Sequence, residues 1–243
     1  SGTDLDVVLP DWASAGGRDA ILATLRSPAA RRRVEDELDA DPRDWSAVMI
    51  GGGWSEEVRR FSGRTVADAA AELGLSPGGA VCRFIERDET RTSAFFFVMC
   101  EANLWRLYHE PWIMPGSDAS LRAPWGPLGR DHPHPRAYGT MPRFVRIVTG
   151  REEGFQAVCG IEEAVRRMTA LPARAFGIRD RGALIPGAFA DVTVFDPEAF
   201  RDTATFAAPH QFAEGVHQVL VNGTVAFDAG RFTGERRGRF LTR

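Results

Sequence analysis

A single carboxylate is the strongest candidate for chemistry in this sequence. Asp118 lies in a Gly116-Ser117-Asp118 turn directly after a short apolar run. A carboxylate at the mouth of a buried strand can bind a metal ion or carry a proton to and from a reacting group. The same pattern is also typical of an Asx turn or a helix N-cap, in which the aspartate has a structural role. The local pattern leaves both interpretations open.

The histidines nearest to this turn have the spacing of a metal site but lie in a proline-rich segment instead of a strand. His132 and His134 form a His-x-His pair, and Pro133 and Pro135 alternate with them. Prolines favour an extended loop over a strand that would present both imidazoles on one face. Two histidines are also fewer than the three or four ligands of a zinc site. Contact with a substrate by His134 and Arg136, or anchoring of the loop, explains this segment better.

Three other short features have residue types that could take part in chemistry. Cys100 has no histidine partner that the sequence reveals, so we do not expect it to be a nucleophile. A methionine such as Met99 usually packs in a hydrophobic core, although its place at the end of an apolar run also lets it line a pocket. The three glycines at 51–53 lack the Gly-Lys-Ser/Thr that completes a phosphate-binding loop.

These residues need strands and helices to position them, and the segment around them predicts a parallel unit. The run Ser93–Met99 is continuously apolar and of strand length, as expected for a strand buried on both faces. A helix over Glu101–Glu110 and a second strand over about 111–116 follow. A connection of this length suits two parallel strands. Met99 and Asp118 then lie just beyond the ends of their strands, where α/β barrels and doubly wound sheets place their sites.

The remainder of the chain is predicted to be helical at first and β-rich at the end. Caps, prolines and glycines predict helices over 18–26, 28–38, 65–74, 77–87, 144–148, 161–168 and 171–177, with a long loop over 119–142. The predicted strands are 45–50, 191–195, 218–221 and 224–227. Asn222-Gly223 between the last two runs is a strong hairpin signal.

Composition excludes several classes of function. The 243 residues carry a net charge of −3, which gives no electrostatic reason to expect nucleic acid or an anionic membrane as the partner. No stretch approaches the ~18 apolar residues of a membrane span. Cys82, Cys100 and Cys159 are too few and too scattered for a disulfide framework or a cysteine-rich zinc site. The first residues lack the basic and apolar regions of a signal peptide, so we expect a cytoplasmic protein.

Several segments together resemble one enzyme family. The segments are Met-Pro-Gly-Ser-Asp118, His-Pro-Arg-Ala-Tyr-Gly-Thr-Met-Pro over 134–142, and Glu-Glu-Ala-Val-Arg-Arg-Met-Thr-Ala-Leu-Pro-Ala-Arg over 162–174. They resemble the N-acyl-D-amino-acid deacylases, or D-aminoacylases, of the amidohydrolase superfamily. The tail Gly-Ala-Leu-Ile-Pro-Gly-Ala-Phe-Ala-Asp-Val over 182–192, with Val-Leu-Val-Asn-Gly over 219–223, is similar to the ending of many amidohydrolases.

The resemblance implies an α/β fold: the C-terminal part of a metal-dependent-hydrolase (β/α)8 barrel with an inserted subdomain and a small C-terminal β-sandwich. The implied boundaries are 1–90 for the inserted helical subdomain and late barrel elements, 91–180 for the last barrel strands with the site loop, and 181–243 for the β-sandwich segment. These boundaries come from the family likeness and not from composition.

The resemblance also implies a reaction and roles for named residues. Family members use zinc to polarise the amide carbonyl and to lower the pKa of the bound water to ~7. A carboxylate at the end of the eighth barrel strand takes the proton from that water and passes it to the leaving amine. Asp118 matches that position and is a possible second-metal ligand. Met99 matches a residue that lines the substrate pocket, and His134, Arg136 and Tyr138 match the loop after the last strand, as candidate substrate-binding residues.

The departures from the family pattern are large. The His-x-His of the first barrel strand, the cysteine ligand and the histidines of the fifth and sixth strands have no counterpart here, and Ala119 stands where the family favours glycine. The resemblance therefore implies the C-terminal half of an enzyme acting on N-acyl-D-amino acids, whose partner is the missing N-terminal barrel segment. Alone, we expect the chain to lack the catalytic zinc and to be inactive.

Two other interpretations remain open. The chain could be a degenerate, non-catalytic barrel fragment that serves as an interaction module. It could also belong to a different amidohydrolase, such as a dihydroorotase-like or cyclic imide hydrolase, because the tail motif is widely shared. A half barrel would expose an unpaired strand edge and apolar surface, so we expect the isolated chain to self-associate.

Overall fold

The computed structural model describes residues 2–241, and residues 1, 242 and 243 lie outside the described part. Within it the chain forms two compact units. The first consists of residues 2–99 and 121–134, and the second of residues 100–120 and 135–241. Each unit has its own helices, sheet and core.

The first unit is mainly helical, and its helix ends follow local capping rules. Thr65 Oγ1 accepts a hydrogen bond from the Asp68 N–H at 3.1 Å, and Gly74 ends the same helix with φ 64°. Ser76 caps the next helix, which begins at Pro77 as predicted. The helices are α1 (Asp11–Ser14), α2 (Gly17–Arg26), α3 (Pro28–Ala40), α4 (Glu56–Arg59), α5 (Val66–Leu73) and α6 (Pro77–Arg87), with short 3₁₀ helices at Leu5–Val8, Trp45–Ala47 and Gly126–Gly129.

The core of the first unit is centred on α6, which contacts α3 and α5. Phe61 and Phe84 are fully buried there, with ring centroids 5.4 Å apart. Gly78 allows α6 to approach α3 closely, because a Cβ at this position would lie 2.6 Å from the Glu35 carbonyl oxygen.

The sheet of the first unit is antiparallel, which corrects the predicted parallel unit. Its strands are β1 (Gly2–Asp4), β2 (Val48–Ile50) and β3 (Ser93–Phe96), in the order β1-β3-β2. Gly2 pairs with Phe95 and Val48 pairs with Phe96, so β3 is the central strand. The predicted strand over 45–50 is shorter than expected because its first half is the 3₁₀ helix.

The two strands expected to lead into the site are also shorter or not formed. β3 ends at Phe96, and Phe97, Val98 and Met99 are exposed rather than buried on both faces. Among the described residues, 111–116 form no strand. Pro111 and Pro115 remove two backbone donors from this segment, and a strand forms only where a neighbour completes its ladder.

The second unit contains four helices and a four-stranded sheet. The predicted loop over 119–142 ends early, because α8 begins at Arg136 and continues through Pro142. Burial of Phe144, Val145 and Val148 on one face of α8 stabilises the helix despite the proline. The elements are α7 (Glu101–Tyr108), α8 (Arg136–Val148), α9 (Ile161–Met168), α10 (Ala170–Ala175), β4 (Val192–Phe195), β5 (Val216–Val221), β6 (Thr224–Asp228) and β7 (Arg231–Phe232).

The three strands and the hairpin predicted for the tail are present, and with β7 they form an antiparallel sheet of order β4-β5-β6-β7. Asn222 (φ 49°) and Gly223 (φ 78°) make the turn between β5 and β6, both in the left-handed region that a two-residue hairpin requires. Phe200 joins the helices in the core of the unit, and Phe195 and Val216 pack against that core from the sheet. None of the helices within residues 2–241 is long and apolar enough to cross a membrane.

Candidate functional site

Asp118 and Arg136 are candidate residues that the structure brings into direct contact. Arg136 Nη2 lies 2.9 Å from Asp118 Oδ2 and donates a hydrogen bond to the Asp118 carbonyl oxygen at 2.6 Å. The side chain of Asp118 is otherwise 89% exposed. One guanidinium thus fixes both the backbone and the carboxylate of a residue 18 positions earlier in the chain.

The local backbone explains how Asp118 is presented. Asp118 has φ 46°, in the left-handed region, which aspartate visits more readily than most residues because its short side chain can bond locally. The Ala119 N–H points to Ser117 Oγ at 3.4 Å. No strand precedes this turn among the described residues 111–116, which corrects the expectation that Asp118 follows one. An exposed carboxylate held in this way can accept a proton from water or bind a cation.

Tyr138 lies one half-turn after Arg136 in α8 and is half-buried. Its ring makes edge contacts with Phe212 at 5.7 Å and with His210 at 6.1 Å. Arg136 and Tyr138 were expected in an irregular loop. The structure places both in the first turn of α8, which fixes their spacing.

Met99 and His134 belong to the first unit. Met99 is 75% exposed, three residues beyond the end of β3. The ring of His134 packs edge-on against Phe95 of β3, with centroids 5.2 Å apart. The strand end that was expected to carry Met99 into a pocket is therefore an exposed segment in this chain.

The described residues do not by themselves fit a zinc site. Within residues 2–241, no group of three or more histidine, cysteine, aspartate or glutamate side chains is placed to hold a metal ion. Asp118 offers a single carboxylate, fewer than the three protein ligands of a catalytic zinc centre.

The cysteines do not have the environment of a nucleophile. Burial raises the pKa of the Cys82 thiol to about 12, so it is protonated at neutral pH. Burial also raises the pKa of Cys159. Cys100 is exposed at the start of α7. A reactive cysteine needs a lowered pKa and access to its substrate, a combination that neither Cys82 nor Cys159 has.

An ion cluster on α9 with one buried arginine was not identified from the sequence. Arg167 is 3% exposed, contacts Glu163 Oε1 at 2.9 Å and donates to the Tyr108 carbonyl at 2.8 Å. Arg166 binds the same carboxylate and donates to the Pro111 carbonyl at 3.0 Å. The hydrogen bonds from Arg166 and Arg167 lower the pKa of Glu163 to about 2.

This cluster holds both ends of the turn over residues 108–111, which leads into the segment that carries Asp118. The signal in the sequence was the glutamate at 163 with arginines three and four positions later, a spacing that places them on one helix face. The burial of Arg167 and its bond to the Tyr108 carbonyl at the end of α7 could not be deduced from that spacing.

Comparison with known proteins identifies relatives over most of the chain. The N-acyl-D-aspartate deacylase of Alcaligenes xylosoxydans xylosoxydans is 37% identical over 188 residues, which are 77% of this chain and 34% of that protein. The N-acyl-D-glutamate deacylase of the same organism is 37% identical over 234 residues, or 96% of this chain and 43% of that protein. The chain thus spans less than half the length of these curated relatives.

A solved structure of a related deacylase also matches most of this chain. The crystal structure of N-acyl-D-glutamate deacylase from Bordetella bronchiseptica superposes with a TM-score of 0.64 and 36% identity, covering 79% of this chain and 37% of that chain. That enzyme was crystallised with zinc and a phosphonate inhibitor that mimics the tetrahedral intermediate of its reaction.

The sequence model of the amidohydrolase family matches residues 105–227, about half of the chain, including Asp118, Arg136 and the Glu163 cluster. The chain belongs to the amidohydrolase family.

Proposed function

We propose that this chain is the C-terminal portion of a zinc-dependent hydrolase that cleaves N-acyl-D-amino acids to a carboxylate and a D-amino acid. The observation that carries the proposal is the 37% identity to an N-acyl-D-glutamate deacylase over 96% of the chain. The complete protein would be cytoplasmic, with a small-molecule substrate. Segments 1–90, 91–180 and 181–243 would supply the inserted subdomain, the last elements of a (β/α)8 barrel and part of a β-sandwich.

Asp118 is the proposed proton carrier. Its carboxylate takes a proton from the water whose oxygen attacks the amide carbonyl carbon. As the C–N bond breaks, the same group passes that proton to the departing nitrogen, which leaves as the amine of the D-amino acid. Arg136 supports this role, because its guanidinium holds the carbonyl and one carboxylate oxygen of Asp118 and so fixes the direction of the side chain.

The other candidate residues are proposed to contact the substrate. His134, Arg136 and Tyr138 follow Asp118 along the chain, and Met99 precedes it, as in the motif that the chain resembles. Arg136 has a permanent positive charge and a planar fork of donors that suits the carboxylate of an N-acyl amino acid.

The zinc ligands are proposed to lie in an N-terminal barrel segment beyond this chain, with Asp118 as a possible additional ligand. The relatives support this division, because the chain covers 34% to 43% of their lengths. The 243 residues alone would then be inactive. Metal analysis of the chain and of the full-length protein tests this point: we expect stoichiometric zinc in the full-length protein alone.

Exposed apolar side chains also support a missing segment. Val98 and Leu121 of the first unit are 74% and 83% exposed, and Trp112 and Leu184 of the second unit are 62% and 81% exposed. Exposed apolar surface marks interaction sites where it is contiguous, and we propose that the missing segment covers these side chains. We expect the isolated chain to sediment as dimers or larger species and to form a 1:1 complex when coexpressed with the N-terminal segment. A cooperatively folding monomer would contradict the fragment assignment.

Replacement of Asp118 in the full-length protein tests the catalytic assignment. We expect Asp118→Asn to lower kcat/KM for N-acetyl-D-glutamate by about 10³-fold, within the ~10²–10⁴ that general acid–base catalysis provides. Asp180→Asn is the matched control, because Asp180 is also exposed and has a left-handed φ of 57°. Near-normal turnover by Asp118→Asn would refute the role of Asp118.

A further inference from the structure

Most backbone amides of the three-glycine turn at 51–53 are bound within the protein. Gly51 N donates to the Ser93 carbonyl at 2.8 Å, and Gly52 N donates to Ser93 Oγ at 2.7 Å. The next residue, Trp54, donates its N–H to Asp88 Oδ2 at 2.9 Å, and this aspartate is 1% exposed. A phosphate-binding loop needs N–H groups that point at the ligand, whereas these amides are bound within the protein.

The glycines instead allow a second segment to lie directly on the turn. A Cβ at Gly52 would lie 3.0 Å from the His132 nitrogen, and a Cβ at Gly53 would lie 2.6 Å from Val58 Cγ1. Asp131 and His132 therefore pack against the turn more closely than a side chain at 52 would permit, and Val58 fills the space beside Gly53. Buried Asp88 holds Trp54 at the edge of this contact.

A groove of about 400 Å³ opens where the 121–134 segment meets the turn, within the first unit. Its apolar walls include Trp54 and Leu128. Its charged lining consists of Arg59, Arg122, Arg130 and Asp131. The volume lies in the range of small-molecule sites, about 300–1,000 Å³.

The charges of the groove are unbalanced. Arg122 Nη1 lies 2.5 Å from Asp131 Oδ2, so one guanidinium neutralises the one lining carboxylate. Arg59 Nε contacts the Ser55 carbonyl at 3.4 Å. In residues 2–241 neither Arg59 nor Arg130 forms an ion pair. Three arginines and one aspartate leave the groove with two net positive charges beside an aromatic ring.

We propose that this groove binds a small carboxylate that carries an apolar or aromatic body. The carboxylate contacts Arg59 and Arg130, and the body packs against Trp54 and Leu128. A compact phosphate would use the guanidinium groups but leave the apolar walls unoccupied, and the N–H groups of Gly51, Gly52 and Trp54 are already bound. The proposal does not depend on the deacylase assignment, because its readout is binding and not turnover.

Saturation-transfer NMR on the 243-residue chain tests the proposal and can be read whether the chain is monomeric or associated. Benzoate and its neutral isostere benzamide are observed directly, and inorganic phosphate, which has no carbon-bound proton, is tested as a competitor that would displace benzoate. We expect saturable benzoate binding with a Kd of about 1 mM, a free energy of about −4 kcal/mol. Benzamide and phosphate are expected to bind at least about tenfold more weakly, since each lacks one of the two features that the groove recognises.

Paired variants locate the bound benzoate. Arg59→Gln with Arg130→Gln should weaken benzoate binding about tenfold by removing both unpaired charges. Arg26→Gln with Arg32→Gln changes the net charge equally on exposed parts of α2 and α3, and should leave binding within about twofold. Equal binding of benzoate and benzamide, tighter binding of phosphate, or an unaffected groove variant would each overturn the proposal.

Discussion

Replacing Glu163 by glutamine removes the charge that balances the buried Arg167 without changing the size of the side chain. Glu163 accepts three hydrogen bonds, at 2.6 Å and 2.9 Å from Arg166 and at 2.9 Å from Arg167. Arg167 would keep the Tyr108 carbonyl but lose its counterion. Removing one partner of a buried pair is costly because the other charge stays in a poorly solvated place.

The size of the effect follows from the pKa of Glu163. Arg166 and Arg167 lower it from its ordinary 4.5 to about 2, a difference worth at most about 3.4 kcal/mol. The carboxylate is 32% exposed, and solvent screening reduces this to about 2 kcal/mol. With urea, this predicts a midpoint lower by roughly 1 M for the unfolding of the second unit at pH 7.

The pH dependence of the unfolding free energy tests the role of Glu163 independently. A carboxyl whose folded pKa is lowered contributes stability that is fully present above 4.5 and is lost as the pH falls towards 2. The difference in unfolding free energy between wild type and Glu163→Gln should therefore shrink between about pH 5 and pH 2. Glu162→Gln is the control, because Glu162 lies beside Glu163 in the first turn of α9 and is exposed. Equal midpoints for both variants, or an unchanged acid profile for Glu163→Gln, would refute the reasoning.

Two further predictions use matched pairs of substitutions and urea denaturation. Gly215→Ala should lower the free energy of unfolding by about 2–3 kcal/mol more than Gly230→Ala does. Both glycines have left-handed φ angles, but a Cβ at 215 would lie 2.5 Å from the backbone of residues 199 and 200, whereas a Cβ at 230 would face open space. Equal costs would contradict the close approach. Asp88→Asn should lower the free energy of unfolding by about 2–4 kcal/mol, because the new side-chain NH2 group would face a buried N–H donor. The exposed control Asp36→Asn should lower it by less than about 0.5 kcal/mol. A cost below 1 kcal/mol for Asp88→Asn would argue against the buried network.

Elements fixed by local chemistry were predictable from the sequence. The capping box at Thr65 and the proline at 77 marked the starts of α5 and α6, and Asn222-Gly223 marked the hairpin. In each case a few adjacent residues determine the backbone, so no distant contact is needed to identify the element.

Elements that depend on distant partners were predicted less well. The apolar run over 93–99 has strand composition throughout, yet β3 ends at Phe96 where its pairing with β2 ends. Pro142 indicated a loop, but burial of one face of α8 outweighs the loss of a backbone hydrogen bond. Asp118 and Arg136 are separated in sequence by an irregular segment, and the length of such a segment does not predict that its two ends will be in contact.

Hydrolysis by the full-length protein tests the central claim most directly. The measurement is the release of free amino acid from N-acetyl-D-glutamate, its L enantiomer and a cyclic imide, each at equal concentration. The account predicts release from the D substrate, at least about tenfold slower release from the L enantiomer, and no release when the 243-residue chain is assayed alone. Preference for the cyclic imide would identify a different amidohydrolase, and no turnover of any substrate by a zinc-loaded full-length protein would contradict the deacylase assignment.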